Sequence, residues 1–385
     1  MSTVLAAASN AAVAEGPIRV MVVDDAVVAR SLLTHWVDSE PDMTVAASLR
    51  DGREAVDQLD RADPDVVLLD IEMPGLDGIS ALPLLLRKKR DLVVIMASAL
   101  TRRGAEVTLR ALSLGAADYI PKPESTPSGT DAIAFRHDLI EKIRHLGRRR
   151  RTSHRPSAPV AAHAIGALSP RQRLRSFGET GQLHLRPFSS VPPRVLLIGS
   201  STGGPQALTK LIEKLPAAID RAPVLITQHM PATFTTVLAE TLSRVAGRGA
   251  HEAEHDEPVL AGGIYVAPGG RHMRVVRGAD GIKIALGDDP PINYCRPAVD
   301  PLFASAAPVW GPATLAVVLT GMGCDGTAGA AEIVAASGSV MAQDEATSVV
   351  WGMPRSVAQA GLCSAVLPLD EIAPRILRLF LGARA

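Results

Sequence analysis

Short apolar runs alternate with stretches in which apolar residues recur every three or four positions, and the alternation occupies two long segments of the chain. In the first segment, Ile18 to Val23, Thr44 to Ser48, Val66 to Leu69, Leu92 to Met96 and Tyr119-Ile120 read as buried strands. Between them VARSLLTHWVDS, GREAVDQLDR, ISALPLLLRK and GAEVTLRALSLG carry helical spacing. Repeated β-α units of this kind predict a parallel sheet with helices on both faces.

After about Glu124 the pattern weakens. One amphipathic helix is predicted within PESTPSGTDAIAFRHDLIEKIRHL. The stretch that follows, beginning GRRRRTSHRPSAPV, is rich in Arg, Ser, Pro and Ala and has no periodicity, so it reads as a flexible linker without a core. Its run Arg148 to Arg151 reads as solvated linker charge rather than as a docking patch. From Arg194 the alternation returns. RVLLIGSS, APVLITQHM, GIYVAPG and TLAVVLTG are predicted strands, and QALTKLIEKL, FTTVLAETLSRVAG, VDPLFASAAPVWG, TAGAAEIVAASG and EIAPRILRLFLGA helices. HMRVVRG and IKIALG, joined through Ala279-Asp280-Gly281, predict a β-hairpin beside the main sheet. The expected organisation is a disordered leader over 1–16, a first domain over 17–145, a linker over 146–191 and a second domain over 192–385. Both domains are expected to be α/β, doubly wound on parallel sheets.

The length of 385 residues suits two such domains, each with its own core. Lys+Arg and Asp+Glu balance at 40 each, so no net field draws the chain to nucleic acid or a membrane surface. Cys295, Cys324 and Cys363 are widely spaced and form no CxxC, which fits neither a disulfide framework nor a zinc site and points to a reducing cytoplasm. The N-terminal stretch lacks the basic start and apolar core of a signal peptide, and no later stretch reads as a membrane helix.

In doubly wound sheets chemistry collects at the carboxyl ends of the strands. In the first domain those ends hold Asp24 and Asp25, Asp70, Ser98 and Lys122. Carboxylates crowded at one edge repel unless a hard cation joins them, and an all-oxygen site of this kind suits Mg²⁺. Asp70 is then placed to attack a phosphoryl group, with Lys122 and the Ser98 hydroxyl beside the product oxygens. The stretches VVDDAVVAR, LLDIEMPGLDG, MASA and ADYIPKP resemble the flavodoxin-like receiver domain of two-component response regulators. The resemblance implies Asp70 as phospho-acceptor, Asp24 and Asp25 with Asp70 as Mg²⁺ ligands, Lys122 as switch lysine, and Ser98 with Tyr119 as the switch relay.

The second domain places a serine at a strand-turn-helix junction, in RVLLIGSSTGG. Such a turn lifts the Ser201 side chain clear of the sheet and turns free N–H groups toward it. His229 ends the next predicted strand, and Asp325 lies in the glycine-rich turn LTGMGCDG. Together they form a set for acyl transfer, with His229 as base and Asp325 holding the imidazole; the Gly321-Met322-Gly323 turn offers oxyanion donors. The chain order of serine, histidine, acid argues against an ordinary α/β-hydrolase. IGSSTGGPQAL, ITQHMP, NYCRPAVDPLF, LTGMGCDG and QDEATSVVWGMP instead resemble the chemotaxis protein-glutamate methylesterase family, with Ala298 standing where that family often has serine and Cys324 at a variable position. The resemblance implies Ser201 as nucleophile, Thr202 and Met322 lining the site, and no cofactor in this domain. It further implies demethylation of glutamate γ-methyl esters on chemoreceptor helices, deamidation of receptor glutamines, and a chemotaxis histidine kinase as phosphodonor. The alternative is a non-catalytic response regulator whose second domain binds a partner.

Overall fold

The computed structural model describes residues 16–122, 130–153 and 183–382; the expected leader lies outside them except for Gly16. Strands β1 (Ile18–Val23), β2 (Met43–Leu49), β3 (Val66–Asp70), β4 (Val93–Ala99) and β5 (Asp118–Lys122) form one sheet in the order β2-β1-β3-β4-β5, parallel throughout. Helices α1 (Val27–Asp38), α2 (Gly52–Ala62), α3 (Gly78–Lys88), α4 (Arg102–Ser113) and α5 (Thr130–Ser153) follow the strands in turn. Because strand side chains alternate, Val20, Val22, Val66, Leu68 and Ile95 face α1 and α5, whereas Met21, Val23, Val67, Leu69 and Met96 face α2, α3 and α4. Asp51, Asp77 and Thr101 cap α2, α3 and α4 with side-chain oxygens, which fixes where each helix leaves its strand.

The second sheet runs β14-β13-β12-β6-β7-β9-β8 and is also parallel throughout. Its strands are β6 (Val195–Ser200), β7 (Val224–Gln228), β8 (Ala250–Glu252), β9 (Ile264–Val266), β12 (Thr314–Val318), β13 (Ser339–Gln343) and β14 (Ala365–Leu367). On one face lie α6 (Gly204–Ile212), α7 (Pro216–Ile219), α8 (Phe234–Ala246) and α12 (Leu369–Phe380). On the other lie α9 (Val299–Trp310), α10 (Thr327–Ala335), α11 (Met353–Gln359) and the expected hairpin, β10 (His272–Gly278) with β11 (Gly281–Gly287). Both domains are thus the doubly wound parallel sheets that the pattern predicts. The pattern did not announce β8, β13 and β14. Two of these are three residues long, and β13 is a five-residue strand, SVMAQ, that pairs with its chain neighbours β12 and β14.

The expected linker is corrected at both ends. Helix α5 runs on to Ser153, with Leu139, Ile140, Ile143 and Leu146 buried against the first sheet. Burying aliphatic side chains of that size contributes roughly 1.5–3 kcal/mol each. The arginines are not solvated linker charge. Arg148 meets Asp42 at 2.8 Å, Arg150 meets Asp65 at 2.7 Å and Asp91 at 2.6 Å, and the Arg151 Nε meets Asp65 at 2.9 Å. Those aspartates stand just before β2, β3 and β4, so the basic run clasps the amino edge of the sheet. At the far end, residues 183–193 adopt no regular structure but dock on the second sheet. The Arg186 N–H donates to Cys363 O and the Ser189 N–H to Ser339 Oγ, each at 2.9 Å, and the Arg375 guanidinium lies over the Phe188 ring at 5.5 Å.

The two domains touch along one broad face. Tyr119 of β5 stacks on Phe234 of α8, ring centroids 4.9 Å apart and planes within 8°. Arg102 of α4 grips Glu240 of α8 at 2.6 and 2.9 Å, and Gln206 Nε2 donates to Ala116 O at 3.2 Å. From α5, Arg149 donates to the carbonyls of Ser348 and Val349, while His137 approaches the exposed Tyr294 ring at 5.2 Å.

Candidate active site

The first sheet brings Asp24, Asp25 and Asp70 together at its carboxyl edge, with one oxygen of each within 4.8 Å of the others. Asp24 and Asp70 are buried and Asp25 is exposed. Lys122 Nζ bridges the buried pair, 2.7 Å from Asp24 Oδ2 and 2.8 Å from Asp70 Oδ2. Burial pushes the Asp70 carboxyl up to about 6, and Asp24 adds to the rise against the opposing pull of Lys122. The chain after Asp70 turns so closely that a Cβ on Gly78 would stand 2.0 Å from Asp70 O, so only glycine fits there. Three hard oxygens around one half-open point, too negative for one lysine to neutralise, fit the Mg²⁺ expected of them. Ser98 is buried beside this edge and donates to Gly104 O at 3.1 Å. Tyr119 is buried too, its ring held by Phe234 and by the Lys142 ammonium 5.2 Å away.

In the second sheet β6 and β7 pair with Ser200 opposite Gln228, which sets the next residues, Ser201 and His229, at adjoining strand ends. Gly203, at φ +75°, turns the chain into α6 in a conformation that costs other residues strain. The turn is held from both sides. Gln228, fully buried, accepts from Ser200 Oγ at 2.7 Å and donates to Ser201 O at 2.9 Å and His229 O at 3.2 Å. Gly204 must be glycine here, because a Cβ would stand 1.9 Å from Gln228 Oε1. From the β12 side, Thr320 O accepts the Ser201 N–H at 3.0 Å and Thr320 Oγ1 donates to Thr202 O at 2.8 Å. Gln343 Oε1 in turn accepts the Thr320 N–H at 2.8 Å.

His229 Nε2 lies 2.7 Å from Asp325 Oδ2, and the Cys295 side chain contacts the same ring. Burial disfavours the charged imidazole, but Cys295 and Asp325 outweigh it and raise its pKa. Burial would likewise raise Asp325; the His229 contact and the backbone N–H groups of Val299 and Asp300 hold it below the ordinary range. Among the described residues the Ser201 hydroxyl makes no hydrogen bond, leaving it free toward an incoming carbonyl. One expected oxyanion donor is withdrawn: the Gly321 N–H is already given to Val350 O at 3.0 Å. The Thr202 and Met322 N–H groups have no acceptor among the described residues, so the lining pair stays available. Met322 itself packs, with Val349 and Val350, against the cluster that includes α5. Sequence reasoning missed Gln228, Thr320, Gln343 and Cys295; only Gln228, adjacent to His229, carried a local signal.

Fold and strand-end residues together place the chain among response regulators with an α/β output domain. The response regulator receiver domain pattern matches residues 20–134 and the CheB methylesterase pattern residues 196–376. The chain is 60% identical over 369 residues to a protein-glutamate methylesterase/protein-glutamine glutaminase of Rhodopseudomonas palustris (strain BisB5), covering 96% of each. It is equally 60% identical over 380 residues to the protein of the same name from Nitrobacter hamburgensis, covering 98% of each. This chain belongs to that methylesterase family, as its motifs implied. Among solved structures it is similar to the Thermotoga maritima CheB methylesterase catalytic domain, with 40% identity, coverage of 49% of this chain and 100% of that one, and a TM-score of 0.47.

Proposed function

We propose that the protein is a phosphorylation-regulated serine esterase that hydrolyses glutamate γ-methyl esters on the cytoplasmic helices of chemoreceptors, and also converts receptor glutamine to glutamate. The observation that carries this reading is the 2.7 Å contact of Asp325 with His229 at the strand end next to the unengaged Ser201. Ser201 Oγ attacks the ester carbonyl as His229 takes its proton, and the oxyanion rests against the Thr202 and Met322 N–H groups. His229 returns the proton to the departing methanol, or to ammonia from glutamine, and water releases the glutamyl group by the same route in reverse. Asp325 holds the ring and offsets its charge.

In the receiver, Asp70 accepts the phosphoryl group from a chemotaxis histidine kinase. Asp24, Asp25 and Asp70 would hold Mg²⁺, which supplies positive charge for the phosphoryl oxygens. Lys122 stays paired to the acceptor edge, and the Ser98 and Tyr119 relay carries the change toward α4 and α8. The unphosphorylated receiver covers the approach to Ser201; the Tyr119 stack, the Arg102–Glu240 pair and the packing of Met322 support that reading. No described helix is long and apolar enough to cross a membrane, and we take the site of action as the cytoplasm. Methanol release from methylated receptor is the direct test: wild type should release it and Ser201→Ala should not.

A further inference from the structure

Two helices begin at the Asp325 carboxylate. In the first turn of α9 the Val299 N–H donates to Oδ2 at 2.6 Å and the Asp300 N–H to Oδ1 at 3.0 Å. Gly326, immediately before α10, donates to Oδ1 at 2.8 Å. With His229 on Oδ2, both oxygens of Asp325 are doubly engaged. The arrangement is reciprocal, because Asp300 Oδ1 accepts the Gly329 N–H, in the first turn of α10, at 2.7 Å. Each aspartate thus serves the N-terminus of the other's helix. The helices meet closely enough that a Cβ on Gly329 would stand 2.9 Å from Asp300 O and 2.5 Å from Phe303 Cβ. The Asp300 carboxyl also reaches the Asp325 carboxyl itself.

We propose that Asp300 is a positioning residue for the esterase reaction: its carboxyl ties the first turn of α9 to that of α10 and thereby fixes the N–H cradle that aims Asp325 at His229. The inference rests on the Ser201, His229, Asp325 reading of the site. It supplies what that reading leaves unexplained, namely why a second half-buried acid lies beside the orienting one. Two adjacent carboxyls separate in their affinity for a proton. Burial first, and then Asp325, push Asp300 up to about 6, whereas Asp325 is held low. On acidification the pair therefore takes its first proton on Asp300, and Asp325 keeps the charge that faces the imidazole. Above about pH 6 an ionised Asp300 adds negative charge behind Asp325 and favours imidazolium. The other titratable or charged groups near this end of α9 include His229 after β7, Cys295 before the helix, Arg296, whose guanidinium is turned to the Asp288 and Asp289 carbonyls, the exposed Cys324 beside Asp325, and His272 of β10, whose Nδ1 accepts the Ala298 N–H at 3.1 Å. Arg274 of β10 is paired with Asp289, and Glu332 of α10 is exposed. Strands β6 and β12 bring no ionisable side chain.

The test uses the full chain and two readouts: methanol release from methylated receptor across pH, and the titration of the His229 ring followed by NMR on histidine-labelled protein. Asp300→Ala breaks the tie and should lower kcat roughly 10- to 100-fold with KM nearly unchanged, as a misaimed base would. Asp300→Asn keeps an oxygen for Gly329 and an N–H₂ for Asp325 but carries no charge. It should restore kcat to within about threefold of wild type while moving the His229 titration and the acid limb of the rate profile to lower pH. The proposal is overturned if folded Asp300→Ala keeps wild-type kcat, or if Asp300→Asn leaves the His229 titration where it was while Asp325→Asn moves it. If Ser201→Ala stays active, or Asp325→Asn alters neither kcat nor the titration, the triad reading fails instead, and the two failures are distinguishable.

Discussion

The two carboxyl edges solve the same electrostatic problem by different means. At the receiver edge, Asp24 and Asp70 face each other with a single lysine between them, and Asp70 remains pushed up to about 6. At the esterase edge, Asp325 is as deeply buried yet stays below the ordinary range, because the His229 imidazole first, and then backbone N–H groups, meet its oxygens and outweigh the rise that burial would bring. A carboxylate whose lone pairs are filled by fixed donors is already a finished part, suited to orienting a base. One left short of donors still attracts a cation and a phosphoryl group. On the roles proposed for them, the difference between the orienting acid and the acceptor acid lies in the partners fixed around each carboxyl, an imidazole and backbone N–H groups at Asp325 and one shared lysine at Asp70, not in the strand-end position that both share.

The largest effect that sharpens this contrast comes from deleting chemistry at one edge while watching both. Ser201→Ala and His229→Ala should each lower kcat for methanol release by about 10³-fold or more with phosphoryl labelling of Asp70 intact; Ser201→Ala should leave thermal unfolding nearly unchanged, whereas His229→Ala takes a partner from the buried Asp325 and should lower the esterase transition. Asp70→Asn should abolish labelling by a small phosphodonor in Mg²⁺ and leave basal esterase activity in place. Ser201→Ala protein that still turns over, or labelling that survives in Asp70→Asn, breaks the assignment of the edge concerned.

Next in size is the contact between the domains. A fragment starting at residue 183 keeps the segment docked on the second sheet through Arg186 and Ser189 but loses the receiver. It should demethylate receptor faster than the unphosphorylated full chain by at least several-fold. Phe234→Ala, which removes the surface under Tyr119, should move the full chain part of the way. A fragment no faster than the full chain, at matched concentration of folded protein, would mean that the receiver activates by adding surface rather than by covering.

How much of this was legible in the sequence follows the range of each interaction. Asp70, Ser201 and His229 each sit where an apolar run stops, so a local pattern marked them, and the glycines around Ser201 announced the turn. The same local reading failed on Arg148 to Arg151. Their partners Asp42, Asp65 and Asp91 lie far back in the chain, and nothing near a basic run tells solvent from a distant acidic edge. Thr320, Gln343 and Asp300 were silent for the same reason: their work is done across strands and between helices, and their neighbours in sequence do not reveal it. Gly321 misled in the other direction, since its glycine-rich turn looked like a donor array until Val350 was seen to take its N–H.

The arginine clasp yields the third prediction. Arg150 and Asp65 have side chains only 11% exposed each, so Arg150→Ala leaves a buried carboxylate with one partner fewer. It should destabilise the receiver by about 1–3 kcal/mol. Differential scanning calorimetry of the full chain should show the receiver transition falling with the esterase transition unmoved. Both transitions falling together would mean that α5 belongs energetically to both domains.

The smallest expected effect separates a clasp held by buried charge from one held at the surface. The hydrogen bond from Arg144 holds the Asp42 carboxyl below its ordinary value of 3.8, against a smaller opposing effect of burial; the nearby charges of Arg144 and Arg148 add to the lowering. A lowered folded-state pKa means that the contribution to stability is fully present above the ordinary value and is lost as pH falls through the folded one. Asp42 is partly exposed, so solvent screening limits the gain to about 0.5 kcal/mol. Asp42→Asn should therefore lower the receiver transition slightly at pH 7, and the gap between variant and wild type should close as the pH drops below about 3.8. Raising the salt should shrink the gap at pH 7 as well, because a partly exposed pair is screened. A gap that persists at low pH and in high salt would mean that what matters is the pair of acceptor oxygens, which takes Arg144 Nε at 2.8 Å and Arg144 Nη2 at 3.0 Å and which asparagine cannot supply, rather than the charge.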